Sequence, residues 1–286
     1  MRLIVADEYT QRSPEEQFAQ CMVRRVPWIA LFRGHFVRED GSTAGDEEIA
    51  AALHDSGVRC ATLGWAGGFS GIDCNDPAIT PTMFPTTAAA SSGCHCGGGA
   101  RCSWRYAVED AAGALRSAAI LGARQLLLRG GPQGSHIRRH AMRLFFDAIR
   151  ELLPVAEDME VILAVGELEP HDLFPAKVSG RGASAKKGSA MVAVFPWLSL
   201  MDSDWAGLAV NLKSWSSPRY FALLTRHIDE IAPCTTLLHT DGLTPSQLAP
   251  LLDLFTGAGY DGDVLVSPEL YVILNEQRRP RTSVPA

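Results

Sequence analysis

GDEEIAAALHDSGVRCATLGWAGGF, residues 45–69, carries the reading of the fold. Gly45-Asp46-Glu47-Glu48 opens a helix that ends at Gly57, and VRCATLG, Val58–Gly64, follows as a strand. The question is how often this helix–turn–strand unit recurs. Upstream, RLIVA at Arg2–Ala6 reads as a first strand. A helix then starts at Ser13-Pro14, an N-cap followed by proline at the first helical position, and runs to about Arg25. WIALF at Trp28–Phe32 is a second strand.

Downstream, the spacing predicts a helix over Arg105–Leu121 and a strand at Gln125–Leu128. Ala141, Leu144, Phe145, Ala148, Ile149 and Leu152 recur at three and four residues, so Ser135–Leu153 is a helix. Strands follow at Val161–Val165, Gly207–Leu212, Thr235–His239 and Asp263–Ser267. Helices fall at Ala183–Phe195, Pro218–Ile231 and Thr244–Gly257. Strands alternating with helices imply a parallel sheet. Eight such units suit a closed (β/α)₈ barrel, whose usual length is roughly 250 residues. An open doubly wound sheet would want a glycine-rich phosphate loop after the first strand, and ADEYTQRS contains no glycine. The expectation is an α/β chain forming one barrel domain over residues 1–286, interrupted by a Cys/Gly-rich lid loop over 66–103.

Bulk properties narrow the partners. The chain is 286 residues long, 47% hydrophobic, with a net charge of −6 and no dominant block of like charge. That disfavours a nucleic-acid footprint. No apolar run approaches the roughly 20 residues needed to span a bilayer. Met1–Tyr9 lacks the basic start and apolar run of a signal peptide, so a cytoplasmic location is expected. In that reducing compartment the seven cysteines are expected as thiols or metal ligands.

The segment 45–69 resembles the second helix and third strand of the xylose isomerase-like TIM barrels. AAGALRSAAILGARQLLLRGG (111–131) is similar to that family's next helix–strand unit, HTDG (239–242) to its seventh-strand rim, and GYDGDVLVS (259–267) to the entry of its eighth strand. The family includes sugar-phosphate isomerases and epimerases, inosose dehydratases and apurinic-site endonucleases. The resemblance implies a divalent metal (manganese, magnesium or zinc) held at the rim by Glu, Asp, His and Glu after strands five to eight. It also implies proton transfer on a carbonyl–hydroxyl pair. This sequence places Gly166, Asn211, His239 and Ser267 at those positions, and Ala30 on the second strand, where the family often has Glu. Glu167 and Glu169 stand beside the first and Glu269 two places after the fourth. The metal site is therefore expected to be altered or lost; a remaining ion would use Glu167, His239 and Glu269.

The expected catalytic groups are His239, Glu167 or Glu169, and Lys213. A rim lysine would form a Schiff base in a low-dielectric pocket; the alternative is an exposed side chain. Arg129 would bind an anionic group or pair with a rim acid. His35, Trp65, Asn211 and Asp241 would line the same mouth as substrate contacts. Cys94, His95, Cys96 and Cys102 in SGCHCGGGARC would hold zinc, belong to a flexible lid, or sit in a mere insertion. The function expected is an isomerase or epimerase acting on a small sugar-like or carbonyl-bearing metabolite. A metal-independent biosynthetic enzyme of lyase or cyclase type and a non-catalytic binding protein are the alternatives. A homo-oligomer is compatible with the resemblance.

Overall fold

The computed structural model describes residues 1–6, 14–32, 36, 42–66, 104–129, 138–168, 203–240 and 242–278. Eight parallel strands close into a barrel in the order β1-β2-β3-β4-β5-β6-β7-β8. They are β1 (Arg2–Ala6), β2 (Trp28–Phe32), β3 (Arg59–Ala66), β4 (Gln125–Arg129), β5 (Ile162–Leu168), β6 (Ala206–Asn211), β7 (Thr235–His239) and β8 (Asp263–Val266). Closure is made by Arg2–Val5 pairing with Asp263–Val266. The described helices are α1 (Pro14–Arg24), α2 (Asp46–Ser56), α3 (Trp104–Ile120), α4 (Arg138–Met159), α5 (Leu212–Trp215), α6 (Pro218–Ile231), α7 (Pro245–Gly257) and α8 (Pro268–Arg278).

The quoted stretch forms as its chemistry requires. Asp46, Glu47 and Glu48 fill the first turn of α2, where the helix dipole favours negative charge. Ile49 and Leu53, one turn apart, are buried. Gly57 at φ 68° makes the left-handed stop that turns the chain into β3, its N–H donating to the His54 carbonyl. Ser117 Oγ donates to Asp46 Oδ2 at 2.6 Å and ties α2 to α3.

Two apolar layers follow from strand alternation. Outward-facing residues such as Leu63, Leu126, Leu128, Leu163 and Val165 pack under the helices. Inward-facing Ile4, Ala6, Ala30, Ala61, Leu127, Ala164, Ala209, Leu237 and Leu265 fill the barrel. Alanines facing leucines let this interior interdigitate. The floor, at the N-terminal ends of the strands, is polar. Arg2 donates to both carboxylate oxygens of Asp263, at 2.7 and 2.6 Å, and Gln125 Nε2 donates to Oδ2 at 3.0 Å. The Arg2 guanidinium also lies 4.3 Å from the Trp28 ring centroid.

Several boundaries differ from the sequence expectation. Helix α4 continues through Pro154 to Met159 instead of stopping at Leu153. Pro154 lies on the exposed side of the helix, while buried Leu152 and Ala156 hold the apolar face together. Strand β3 reaches Ala66, which brings Trp65 into the sheet, and β5 reaches Leu168, which brings Glu167 into it. Strand β6 ends at Asn211, and Leu212 starts a helical turn. Helix α8, after β8, is an addition to the elements expected from the sequence. The expected helix Ala183–Phe195, and the lid over 66–103 beyond Ala66, lie outside the described residues.

Candidate functional site

In (β/α)₈ barrels chemistry sits at the C-terminal ends of the strands. Here those ends carry Phe32 on β2, Gly64 near the end of β3, Arg129 on β4, Gly166 on β5, Asn211 on β6 and His239 on β7. The register joins them pairwise: Phe32 with Gly64, Arg129 with Gly166, and Asn211 with His239.

Strand β4 turns Gln125, Leu127 and Arg129 to the same face, and Leu127 belongs to the barrel interior. Arg129 thus stands over the interior at the mouth, half-buried, its guanidinium 5.8 Å from the centroid of the Phe32 ring. That separation is within cation–π range. A side chain at Gly64 would overlap the Phe32 ring, so the glycine gives that ring its place. Phe32 is absent from the sequence candidates. The period of two in Trp28, Ala30 and Phe32 is the signal that puts it on the inner face.

On β5, Gly166 is also forced. A Cβ there would lie 2.5 Å from Leu127 Cδ1 and 3.1 Å from the Leu128 carbonyl oxygen. The strand is irregular just beyond: Gly166 pairs with Ala209 and Leu168 with Val210, leaving Glu167 as the extra residue of a bulge. Bulges concentrate beside active sites and re-aim the chain. The side chain of Glu167, and all of Glu169, lie outside the described residues.

His239 closes β7 and is buried at 8% exposure. The residue after it is pinned: Thr240 donates both its N–H (3.1 Å) and its Oγ1 (2.8 Å) to the Leu265 carbonyl. The Leu243 N–H then donates to the Thr240 carbonyl, closing a turn in which Gly242 takes φ 66°. Asn211, across from His239, is half-buried, and its Oδ1 accepts the Lys213 N–H at 3.0 Å, capping α5. Lys213 reaches over to the β7 turn, its Nζ 3.0 Å from where a Cβ of Gly242 would be. The Lys213 side chain is exposed.

Gly166 has no room for a side chain. The Asn211 amide oxygen caps a helix. Ser267 Oγ accepts the Leu270 N–H at 3.2 Å, as the cap of α8, and Glu269 is exposed in that helix's first turn. Ala30 belongs to the packed interior. His239 alone offers a suitable donor at its family position. Among the described residues no three His, Cys, Asp or Glu side chains come together as a metal cage. The described residues do not fit the divalent centre. His35, Asp241 and the cysteine loop with Cys94, His95, Cys96 and Cys102 lie outside the described residues, as does the Trp65 side chain. Of the remaining cysteines, Cys21 and Cys60 are buried thiols and Cys234 is a half-buried one.

No protein-family model matches the sequence, and no curated protein matches it either. Solved structures do. D-psicose 3-epimerase from Clostridium cellulolyticum H10, determined with D-tagatose, superposes with a TM-score of 0.61 at 10% identity, over 94% of this chain and 85% of that one. An AP endonuclease, family 2, from Brucella melitensis gives 0.57 at 13% identity, over 98% and 99%. A xylose isomerase domain containing protein from Salmonella typhimurium LT2 gives 0.56 at 14% identity, over 95% and 90%. Identities this low speak for the fold alone. The chain has the fold of the xylose isomerase-like (β/α)₈ barrels.

Proposed function

We propose that the chain is an enzyme of isomerase or epimerase type, moving a proton on a small sugar-like or carbonyl-bearing metabolite at the barrel mouth. The observation that carries this reading is the joint placement of a buried imidazole, His239, and a half-buried guanidinium, Arg129, at the C-terminal ends of β7 and β4. Sugar epimerases among the structures that share the fold support it. The net charge of −6 supports a small molecule over a nucleic-acid backbone.

In this reading Glu167, delivered by the β5 bulge, removes a proton next to a carbonyl, and His239 exchanges one with the oxygen or the opposite face of the same carbon. Arg129 holds an oxygen-rich group of the substrate. Glu169, His35, Trp65 and Asp241 are proposed as further contacts, and Lys213, beside the β7 turn, as a second cation at the oxygen. Asn211 acts by capping the turn that bears Lys213.

The test is solvent exchange. The protein is incubated in D₂O with a panel of ketoses, aldoses and their phosphates, and deuterium entry at carbons next to the carbonyl is followed by NMR. Exchange with at least one compound is expected, and its loss in both His239→Gln and Glu167→Gln. A panel without exchange under any condition, or exchange indifferent to both substitutions, would end this reading.

A further inference from the structure

We propose that the mouth of this barrel works without a resident divalent metal. The inference goes beyond the function proposed above and holds whichever reaction takes place there. It rests on what the described residues hold at the positions where the resemblance puts a ligand. At Gly166 an added side chain would press on packed neighbours. The Leu127 methyl already occupies the space a Cβ would need, at 2.5 Å, and the Leu128 carbonyl closes the other side at 3.1 Å. Leu127 is in turn part of the interior that fills the barrel, so the packing and the missing ligand are one feature.

At β6 the anionic ligand has become a neutral amide with a structural duty. Asn211 Oδ1 accepts the Lys213 N–H and starts a helical turn immediately after the strand. That turn brings a cation to the rim: the Lys213 ammonium lies beside Gly242 of the β7 loop, where the absence of a Cβ leaves it room. At β8 the ligand has become Ser267, which likewise starts a helix. Hard divalent cations need several oxygen ligands, carboxylates above all, converging on one point. Here two of the expected carboxylates are replaced by helix caps and a third by a packed glycine. Among the described residues one imidazole remains at these positions, and one ligand is too few for cations that take four or more.

The whole chain, purified without chelator or affinity metal, is tested by elemental analysis and by thermal unfolding with added Mn²⁺, Co²⁺, Mg²⁺ and Zn²⁺. Expected are substoichiometric metal and an unfolding temperature that none of the ions raises, since an ion bound only to the folded state would stabilise it. An ion retained in His239→Ala but lost in Cys94→Ser/Cys96→Ser belongs to the cysteine loop and also supports the proposal. A stoichiometric ion lost in His239→Ala, or a rise in unfolding temperature that His239→Ala abolishes, would overturn it. These readouts do not use turnover, so they separate this proposal from the fate of the proposed reaction.

Discussion

Gly166→Ala tests the packing at the centre of the site. The added methyl would lie 2.5 Å from Leu127 Cδ1 and 3.1 Å from the Leu128 carbonyl oxygen, inside ordinary contact distance for both. Leu127 is 2% exposed and shares the interior with Ala164 and Ala209, so it cannot swing away without displacing them. Overpacking of this kind costs about 1–3 kcal/mol. With an unfolding entropy of roughly 2.1 cal/mol/K per residue, that is a fall of about 2–5 °C for a chain of this size. The discriminating measurement is a double-mutant cycle by guanidinium denaturation. Leu127→Ala alone should cost about 2–5 kcal/mol through the cavity it leaves. In the double variant the methyl added at position 166 sits where the leucine was. The combined loss should therefore fall short of the sum by about 1 kcal/mol or more, as expected for residues in contact. A neutral Gly166→Ala, or strict additivity with Leu127→Ala, would refute the claim that the glycine is fixed by its neighbour.

Other outcomes follow from the same geometry. Asp263→Ala removes the acceptor of three floor hydrogen bonds and leaves Arg2 facing the barrel end. Because Arg2 keeps a quarter of its side chain in water, the loss should sit near the low end for broken buried pairs, about 3 kcal/mol by denaturation. Burial pushes the Cys60 thiol up to about 12 from an ordinary value of 9.0, so the folded state binds its proton more tightly than the unfolded chain does. That contribution is complete below pH 9.0 and declines as pH rises from there toward 12, and Cys60→Ala should flatten the fall in unfolding free energy across that window. Gly242→Ala meets both a positive φ and the Lys213 amine at 3.0 Å; it should cost about 1 kcal/mol in stability and, once a substrate is known, raise its KM by displacing Lys213.

Much of the barrel is legible without coordinates, and the reason is local. A run such as LIVA at 3–6 or QLLL at 125–128 carries consecutive apolar residues because a parallel strand in a barrel is covered on both faces. Gly57 has to follow a helix, since a left-handed stop favours glycine. Pro218 and Pro245 mark helix starts because their missing N–H is not needed there. The misplaced boundaries lie where neighbours outweigh local preference. Pro154 should break a helix, yet the buried face on either side of it carries α4 onward. Glu167 reads as a loop residue beyond a five-residue strand, because a bulge depends on the pairing of β6 and leaves no mark in the order of residues.

The sequence by itself determined the count of strands, their alternation with helices, the presence of His239 and Arg129 at strand ends and that of Lys213 just beyond one, because periodicity and turn chemistry act over a few residues. Only the tertiary structure decided that Phe32 lies beside Arg129, that Gly166 is held to glycine by Leu127, and that Asn211 is occupied in capping the turn that carries Lys213 to the β7 loop. Those relations join strands that lie far apart in the order of residues. They exist because closure of the sheet brings all eight strand ends to one opening, where the space left by one side chain sets what its neighbours can be.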